Sequence, residues 1–246
     1  MALNTFYKVV IGVAVAVVVI LAIALPIALL CCGDAGRQTL GLKAIPGENI
    51  LIKEGDLDSV KPYVEKMTEL LKPYMEMPNK KEVINCNSTV RPQGDQVCNY
   101  PVSSLSICGS STNFGFNGST PCVLLTLTMD ESFRPTPYES LNEVPKDVPR
   151  DLRSDMEESL ENGKLRKGIW VDCNNEYLYT PQPLFPDYYY DNVDAVGYLP
   201  PIVAAMFKLT NKKNEDVKVE CRLWAKDIDS ADERSKVSFT LRLNGE

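Results

Sequence analysis

An apolar run near the N-terminus is the feature that most constrains this chain. Residues 9–30 are 22 consecutive uncharged and almost wholly apolar positions. A backbone in lipid must satisfy its own hydrogen bonds, and a helix of this length crosses a hydrocarbon core of about 30 Å. The alternative is a cleaved signal peptide, whose apolar region is typically about 7–15 residues and ends at a small-residue cleavage site. This run is longer and ends in Leu-Leu-Cys-Cys, so the sequence predicts one uncleaved transmembrane helix.

The predicted helix divides the chain into four segments. Residues 1–8 are expected to be a cytoplasmic tail, 9–30 the transmembrane helix, 31–53 an irregular stalk and 54–246 a disulfide-stapled extracellular domain. The basic residues that flank the apolar run are nearly balanced between its two ends, so the positive-inside rule does not fix the orientation. The orientation of the helix therefore has to be inferred from the cysteines and the glycosylation signals.

Six cysteines are dispersed through the domain, which indicates an oxidising compartment. None has the close spacing of a zinc knuckle, and the chain contains no histidine to complete one. Six cysteines allow 15 pairings. Sequential pairing closes the shortest loops and is favoured on that ground, whereas scattered free thiols in a cytosolic domain are the alternative. The cysteines are Cys86, Cys98, Cys108, Cys122, Cys173 and Cys221.

Two glycosylation sequons support the same compartment. They begin at Asn87 and Asn117, and each is close to a cysteine and surrounded by turn-forming residues. Exposed loops that carry sequons and bridges belong outside the cell. We therefore predict a single-pass type II protein of the plasma membrane, with its N-terminus in the cytoplasm.

Composition excludes several function classes. Without histidine, the chain has neither Ser-His-Asp nor Cys-His catalysis nor a histidine-based metal site, and we expect no metal and no cofactor. A hydrolase with two paired carboxylates stays formally open, but no spacing singles out such a pair. The formal net charge of −7 argues against nucleic acid as a partner. The domain is therefore predicted not to be an enzyme.

Hydrophobic periodicity predicts a mainly-β domain with a few helices. Apolar residues at three- and four-residue intervals indicate a helix over 56–77, capped at Asp58 or Ser59, and a shorter helix within 145–163. Alternating patterns indicate two strands over 217–224 and 237–243. Further strands are expected over 123–128, 167–179 and 202–209. Several strands in a bridge-stapled extracellular domain suggest an immunoglobulin-like β-sandwich with long insertions.

Several short segments, in order along the chain, carry a family resemblance. Together they resemble the β-subunit of the Na,K-ATPase and H,K-ATPase family, and the resemblance covers the apolar run and most of the domain. The segments are Phe-Gly-Phe at 114–116 before Pro-Cys at 121–122, Phe-Arg-Pro-Thr-Pro at 133–137, Phe-Pro-Asp-Tyr-Tyr-Tyr at 185–190, Tyr-Leu-Pro-Pro at 198–201 and Val-Glu-Cys at 219–221.

The resemblance implies a non-catalytic subunit of a cation pump. Members accompany a P-type ATPase α-subunit that exchanges Na+ or protons for K+. They are needed for its folding, assembly and delivery to the plasma membrane, and they modulate K+ and Na+ transport. The resemblance also implies sequential pairing of the six cysteines. The expected partners are the α-subunit, the lipid bilayer and a small single-span regulatory subunit.

Aromatic residues are the candidates for contact with that partner. Tyrosine offers a large rigid contact area with a polar tip, so we expect Tyr188, Tyr189 and Tyr190 to touch an outer loop of the α-subunit. At the inner membrane interface, Phe6 and Tyr7 are expected to form an aromatic belt or to contact a partner helix. A tyrosine cluster that only packs on its own sheet is the alternative for the first group.

Two departures from the family pattern bear on function. The predicted tail is only eight residues, and the tyrosine motif runs into Asp191 and Asn192 without the usual interior proline and following Gly-Lys. The competing function is cell adhesion, in which the same domain acts on neighbouring cells without a pump. The short tail leaves little room for cytoskeletal signalling and counts against adhesion alone.

Overall fold

The computed structural model describes residues 40–77, 81–129, 134–176, 178–229 and 232–245. The predicted tail and transmembrane helix, together with Phe6, Tyr7 and residues 31–39 of the predicted stalk, lie outside these residues. None of the helices within the described ranges has the length and apolar character needed to cross a membrane.

The described part of the chain is mainly β. Its two α-helices are α1 (Leu57–Glu76) and α2 (Arg150–Glu158), and short 3-10 segments cover Val102–Cys108, Ser110–Gly115, Asp187–Tyr190 and Glu233–Ser235. The strands are β1 (Leu40–Ile45), β2 (Asn49–Lys53), β3 (Val83–Ile84), β4 (Val97–Cys98), β5 (Cys122–Met129), β6 (Gly168–Cys173), β7 (Leu178–Thr180), β8 (Leu184–Pro186), β9 (Ile202–Met206), β10 (Asp216–Trp224) and β11 (Lys236–Asn244).

Two larger sheets hold most of these strands. One has the order β1-β5-β9-β7, with every neighbouring pair antiparallel. The other has the order β2-β11-β10-β6-β8 and is antiparallel except for the parallel pair of β2 and β11. Strands β3 and β4 form a separate parallel pair. Buried side chains of both larger sheets belong to one hydrophobic core.

The periodic strands form as predicted. In β10, Val217, Val219 and Cys221 are buried and alternate with the exposed Lys218 and the half-buried Glu220, as expected of a strand with one wet face. In contrast, β5 is buried along nearly its whole length, which agrees with its continuous apolar sequence. The predicted strand over 167–179 is interrupted by a turn and forms β6 and the start of β7.

The predicted irregular stalk is wrong for residues 40–53. These residues form β1 and β2, one at an edge of each larger sheet. Leu42, Ile50 and Ile52 are buried and face the core. The period-two signal was short on both sides of Pro46 and Gly47, so it resembled a turn-rich connection.

Helix α1 covers the outer edge of β2. The predicted cap at Asp58 or Ser59 is wrong: the N-cap is Asp56, whose carboxylate accepts hydrogen bonds from the backbone N–H groups of Asp58 and Ser59 at 3.1 and 3.3 Å. The Tyr63 hydroxyl accepts from the N–H of Leu51 at 3.0 Å, and the Ser59 hydroxyl accepts from that of Lys53 at 3.1 Å. Edge N–H groups of β2 are thereby satisfied by the helix.

Three disulfides join the six cysteines in sequential order. They link Cys86 to Cys98, Cys108 to Cys122 and Cys173 to Cys221. The last two cysteines are direct partners across β6 and β10, so this bridge joins two neighbouring strands of one sheet.

Candidate partner-binding surface

The tyrosines predicted to contact a partner differ in exposure. They follow β8 on the 3-10 segment Asp187–Tyr190. Tyr189 is 7 % exposed and Tyr190 is 3 % exposed, whereas Tyr188 is half-buried. The tight turn of the 3-10 segment directs two of the three rings into the core. The prediction of partner contact is therefore corrected for Tyr189 and Tyr190, which are core residues, and only Tyr188 keeps an accessible ring.

A row of buried aromatic rings packs against Tyr188. Ring centroids are separated by 5.9 Å between Tyr74 and Tyr100, 6.0 Å between Tyr100 and Tyr189, and 4.8 Å between Tyr189 and Tyr188. The hydroxyls of Tyr74, Tyr100 and Tyr189 donate to backbone carbonyls of Pro200, Ile202 and Asn99. Because these three hydroxyls are satisfied and the rings are in edge-to-face or tilted contact, this row holds Tyr188 in one place.

Arg91 ties the tyrosine segment, residues 187–192, to the loop closed by the first disulfide, residues 86–98. Its guanidinium donates to the carboxylate of Asp187 at 2.6 Å and to that of Asp191 at 2.8 Å. Arg134 adds a hydrogen bond to the carbonyl of Asp191 at 3.0 Å. The side chains of Arg91, Asp187 and Asp191 are half-buried, so the attraction within this clamp is screened less than that of a fully exposed pair.

The same two segments are joined by further contacts. The side-chain amide of Asn192 donates to the carbonyls of Gly94 at 2.6 Å and Gln96 at 2.9 Å. The Sγ atom of Cys98 lies 3.4 Å from the carbonyl oxygen of Tyr188. The first disulfide loop is therefore docked along the tyrosine segment. Sequence reasoning missed Arg91 and Asn192, because their partners are about a hundred positions away and no local pattern marks them.

Beyond the tyrosine segment, the chain presents an apolar side chain to solvent. Val196 is 97 % exposed, which is the largest exposure of any large apolar residue in the described ranges. Backbone hydrogen bonds from Ala195 to Asn192 and from Tyr198 to Ala195 form the turns on either side of it. Tyr188 itself lines a cavity of about 270 Å³ with Pro186, Pro201 and Arg166. Burial raises the pKa of the Tyr188 hydroxyl, and the neighbouring Arg166 opposes that shift.

Both predicted glycosylation residues are exposed, but their local geometry differs. The Asn87 Oδ1 atom accepts hydrogen bonds from the backbone N–H and the hydroxyl of Thr89, at 2.9 and 2.8 Å. In the second sequon, Asn117 accepts from the side chain of Asn113 at 2.9 Å, and Ser119 is hydrogen-bonded to Thr210 at 2.8 Å. The described residues contain no group of three or more His, Cys, Asp or Glu side chains arranged to hold a metal ion.

Carboxylates around α2 and the turn after β6 have raised pKa values. Burial raises the pKa of Asp172 to about 6 and that of Glu176 to about 7, and the neighbouring Asp151 and Asp155 add to both shifts. Arg222 opposes the shift of Asp172. Negative charge is therefore concentrated in this region of the surface near pH 7.

This cluster makes stability depend on pH. Because both pKa values are raised on folding, the folded chain binds protons more tightly than the unfolded chain, and stability falls as pH rises through about 5–7. We expect the free energy of unfolding to be larger near pH 5.5 than near pH 7.5, by on the order of 1–2 kcal/mol after screening at the half-exposed Glu176. Denaturant unfolding at the two pH values measures this. The double variant Asp172→Asn and Glu176→Gln should flatten the profile, and an unchanged profile would contradict the assignment.

Comparison with known proteins gives one consistent result. The family model described as "Sodium / potassium ATPase beta chain" matches residues 5–242. Sodium/potassium-transporting ATPase subunit beta-2 of Drosophila melanogaster is 30 % identical over 158 residues, which cover 59 % of this chain and 48 % of that protein. Subunit beta-1 of the same organism is 27 % identical, covering 74 % and 61 %. Subunit beta-2 of Homo sapiens is 27 % identical, covering 80 % and 68 %. The chain thus spans about half to two thirds of the length of these relatives.

Proposed function

Because the chain belongs to the sodium/potassium ATPase beta chain family, we propose that it is a non-catalytic β-subunit of a P-type ATPase that exchanges Na+ or protons for K+. In this role it supports folding, assembly and plasma-membrane delivery of the α-subunit and modulates transport. The observation that carries the proposal is the family match over residues 5–242, which spans both the apolar run and the folded domain.

The proposal includes the membrane arrangement and the fold type. Residues 9–30 would anchor the chain in the bilayer as a single type II span, with residues 1–8 in the cytoplasm and the domain outside the cell. Two sheets that share one core, in a domain with three disulfides, are compatible with an immunoglobulin-like sandwich. A small single-span regulatory subunit would be a further partner of the assembled pump.

We assign contact with the α-subunit to Tyr188 and Val196. Tyr188 is held by the aromatic row, and its segment is fixed to the first disulfide loop by Arg91 and Asn192. A contact residue that is already ordered loses little conformational entropy on binding. Val196 adds apolar area that is exposed in the isolated chain, which is typical of an interface residue.

The direct test is purification of the tagged chain from gently solubilised membranes, with identification of the proteins that accompany it. We expect a many-span P-type ATPase chain in stoichiometric amount, and its sequence would name the transported ions. Recovery of the chain alone, or only with copies of itself, would contradict the subunit proposal and favour adhesion.

Substitution of the two contact residues should weaken this association. Tyr188→Ala and Val196→Asp are each expected to reduce the amount of co-purified α-subunit several-fold, on the order of 1–2 kcal/mol of binding free energy, while the domain stays folded. Tyr188→Phe keeps the ring, and Leu57→Asp places the same charge at another exposed apolar position, at the start of α1. Both controls should co-purify normally. If the control variants lose as much co-purified α-subunit as the test variants, contact through Tyr188 and Val196 is contradicted.

Asn87 and Asn117 are proposed to carry N-linked glycans. Glycosidase treatment of the chain from a eukaryotic cell should shift its electrophoretic mobility by two glycans. Asn87→Gln and Asn117→Gln should each remove one step of this shift, whereas Asn113→Gln, which lies outside any sequon, should remove none. If the glycosidase does not change the mobility of the chain, the proposed extracellular location of the domain is contradicted.

A further inference from the structure

Three Asn-Gly dipeptides occur in the chain, at residues 117–118, 162–163 and 244–245. In this pair an asparagine side chain reacts readily with the main chain, because the glycine nitrogen has no adjacent side chain to hinder its approach. The reaction needs an accessible side-chain amide and a backbone nitrogen that is free to move towards it. The folded structure therefore determines which of the three dipeptides can react.

Asn162 and Gly163 form the tip of a short hairpin that follows α2. The backbone N–H of Glu161 donates to the carbonyl of Lys164 at 2.9 Å, and the N–H of Lys164 donates back to the carbonyl of Glu161 at 3.0 Å. The two residues between them have φ values of +53° and +76°, as in a two-residue type I′ turn, for which Asn-Gly is a preferred sequence. The paired hydrogen bonds belong to the flanking residues and leave the groups at the tip unused.

The reacting groups at this tip are exposed and without partners. Asn162 and Gly163 both lie at the surface. Among the described residues, neither the Asn162 side chain nor the Gly163 N–H has a hydrogen-bond partner. A β-carbon placed on Gly163 would meet no atom within 4 Å, so there is open space for a ring to form at this nitrogen.

The dipeptide at residues 117–118 is more constrained. The Asn117 Oδ1 atom accepts a hydrogen bond from the side chain of Asn113 at 2.9 Å. The Gly118 N–H donates to the carbonyl of Gly115 at 3.4 Å. Both the side chain and the nitrogen are therefore engaged, and the glycan proposed for Asn117 would further block the amide.

The dipeptide at the end of β11 is also constrained. The Asn244 Oδ1 atom accepts from the guanidinium of Arg242 at 2.8 Å, and the Gly245 N–H donates to the side chain of Asn214 at 3.3 Å. A β-carbon on this glycine would lie 2.7 Å from side-chain atoms of two further residues, so the space around its nitrogen is crowded. Of the three dipeptides, the one at the hairpin tip has both reacting groups free.

We propose that Asn162 is a site of spontaneous deamidation in the folded chain. The deprotonated nitrogen of Gly163 attacks Cγ of Asn162, the new C–N bond closes a succinimide ring, and the side-chain nitrogen leaves as ammonia. Water then opens the ring at either carbonyl, which gives aspartate or isoaspartate at this position. The reaction consumes one water molecule and needs no oxidant, cofactor or enzyme.

The products change the hairpin in two ways. Each adds a negative charge beside Glu161, whose carboxylate lies 3.6 Å from the Nε atom of Arg166. Isoaspartate also routes the main chain through the former side chain, so the lengthened tip no longer matches the paired hydrogen bonds of Glu161 and Lys164. Ammonia is lost and the change does not reverse by itself, so the modified fraction would increase with the age of the chain. The proposal does not depend on the pump partner.

Peptide mapping by mass spectrometry tests the site. The folded full-length chain in detergent would be kept at physiological temperature and digested with trypsin, without the glycosidase, which itself converts glycosylated asparagine to aspartate. The tryptic peptide of residues 154–164 contains Asn162 as its single asparagine. We expect it to gain acid forms at least about tenfold faster than the peptide that carries Asn244, because that site must first open locally. The rate should rise by up to about tenfold per pH unit, since the attacking nitrogen has to lose its proton.

The unfolded chain and one variant are the controls. In denaturant, Asn162 and Asn244 should react at rates within about threefold of each other, because the contacts that distinguish them are gone. Asn162→Gln should abolish acid formation at that position and leave the rate at Asn244 unchanged. Equal rates at the two sites in the folded chain would overturn the proposal. A rate at Asn162 that rises more than about tenfold on unfolding would overturn it as well, because the fold would then protect this residue.

Discussion

Replacing Cys173 and Cys221 together by serine is expected to lower the free energy of unfolding by about 4 kcal/mol and to keep the chain from the cell surface. The bridge closes a loop with a sequence separation of 48, so its loss returns the largest amount of conformational freedom to the unfolded chain. Both cysteines are fully buried at directly paired positions of β6 and β10. The variant would therefore place two serine hydroxyls in the core where the disulfide was. Denaturant unfolding of the purified chain and surface labelling of cells measure the two effects.

The first bridge provides the comparison. Cys86 and Cys98 close a loop with a separation of only 12, and their replacement by serine is expected to cost about 3 kcal/mol on the same entropic grounds. The two variants should therefore differ by about 1 kcal/mol, with the longer loop more affected. Normal surface delivery of the Cys173 and Cys221 variant would show that the bridge is dispensable.

Gly115→Ala should destabilise the domain by about 3 kcal/mol or more. Gly115 has a φ of +75°, which is unfavourable for any residue with a β-carbon. An added methyl group would lie 2.1 Å from the carbonyl oxygen of Thr120, which is backbone and cannot rotate away. The buried rings of Phe114 and Phe116 on either side would move with it. Denaturant unfolding measures the loss.

Gly118→Ala is the matched control, three residues further along the same loop. A β-carbon at Gly118 would meet no atom within 4 Å, and the substitution leaves the sequon at Asn117 intact. Its effect on the free energy of unfolding should be within about 0.5 kcal/mol. If both variants lost the same stability, a general intolerance of this loop would replace the specific steric explanation.

Local periodicity was sufficient to predict the elements that bury one face. Helix α1 and strands β10 and β11 have a clear period of 3.6 or 2, and each lies close to its predicted bounds. Burial of Tyr189 and Tyr190 could not be read in the same way. Three consecutive tyrosines on a 3-10 turn have no alternation that separates the inward rings from the outward one. The edge strands β1 and β2 were missed because each is short and the two are separated by the turn residues Pro46 and Gly47.

Contacts between distant segments were beyond sequence reasoning. No local pattern predicts that Arg91 forms ion pairs with both Asp187 and Asp191, because only the folded chain brings these residues together. No local pattern predicts the cluster of carboxylates around α2 either, since α2 and the turn after β6 contribute Asp151, Asp155 and Glu176 from separate parts of the sequence. The sequence pattern determines which face of an element is buried, whereas the pairing of elements depends on the whole core.

The clamp between the first disulfide loop and the tyrosine segment has a consequence for the order of events during biosynthesis. Arg91 and Asn192 can hold Tyr188 in place only when residues 86–98 have their closed shape, which the Cys86–Cys98 bridge fixes. A newly made chain with that bridge open would lack an ordered contact surface. Under the proposed subunit role, recognition by an α-subunit would then select oxidised chains, and assembly itself would act as a check on oxidative folding.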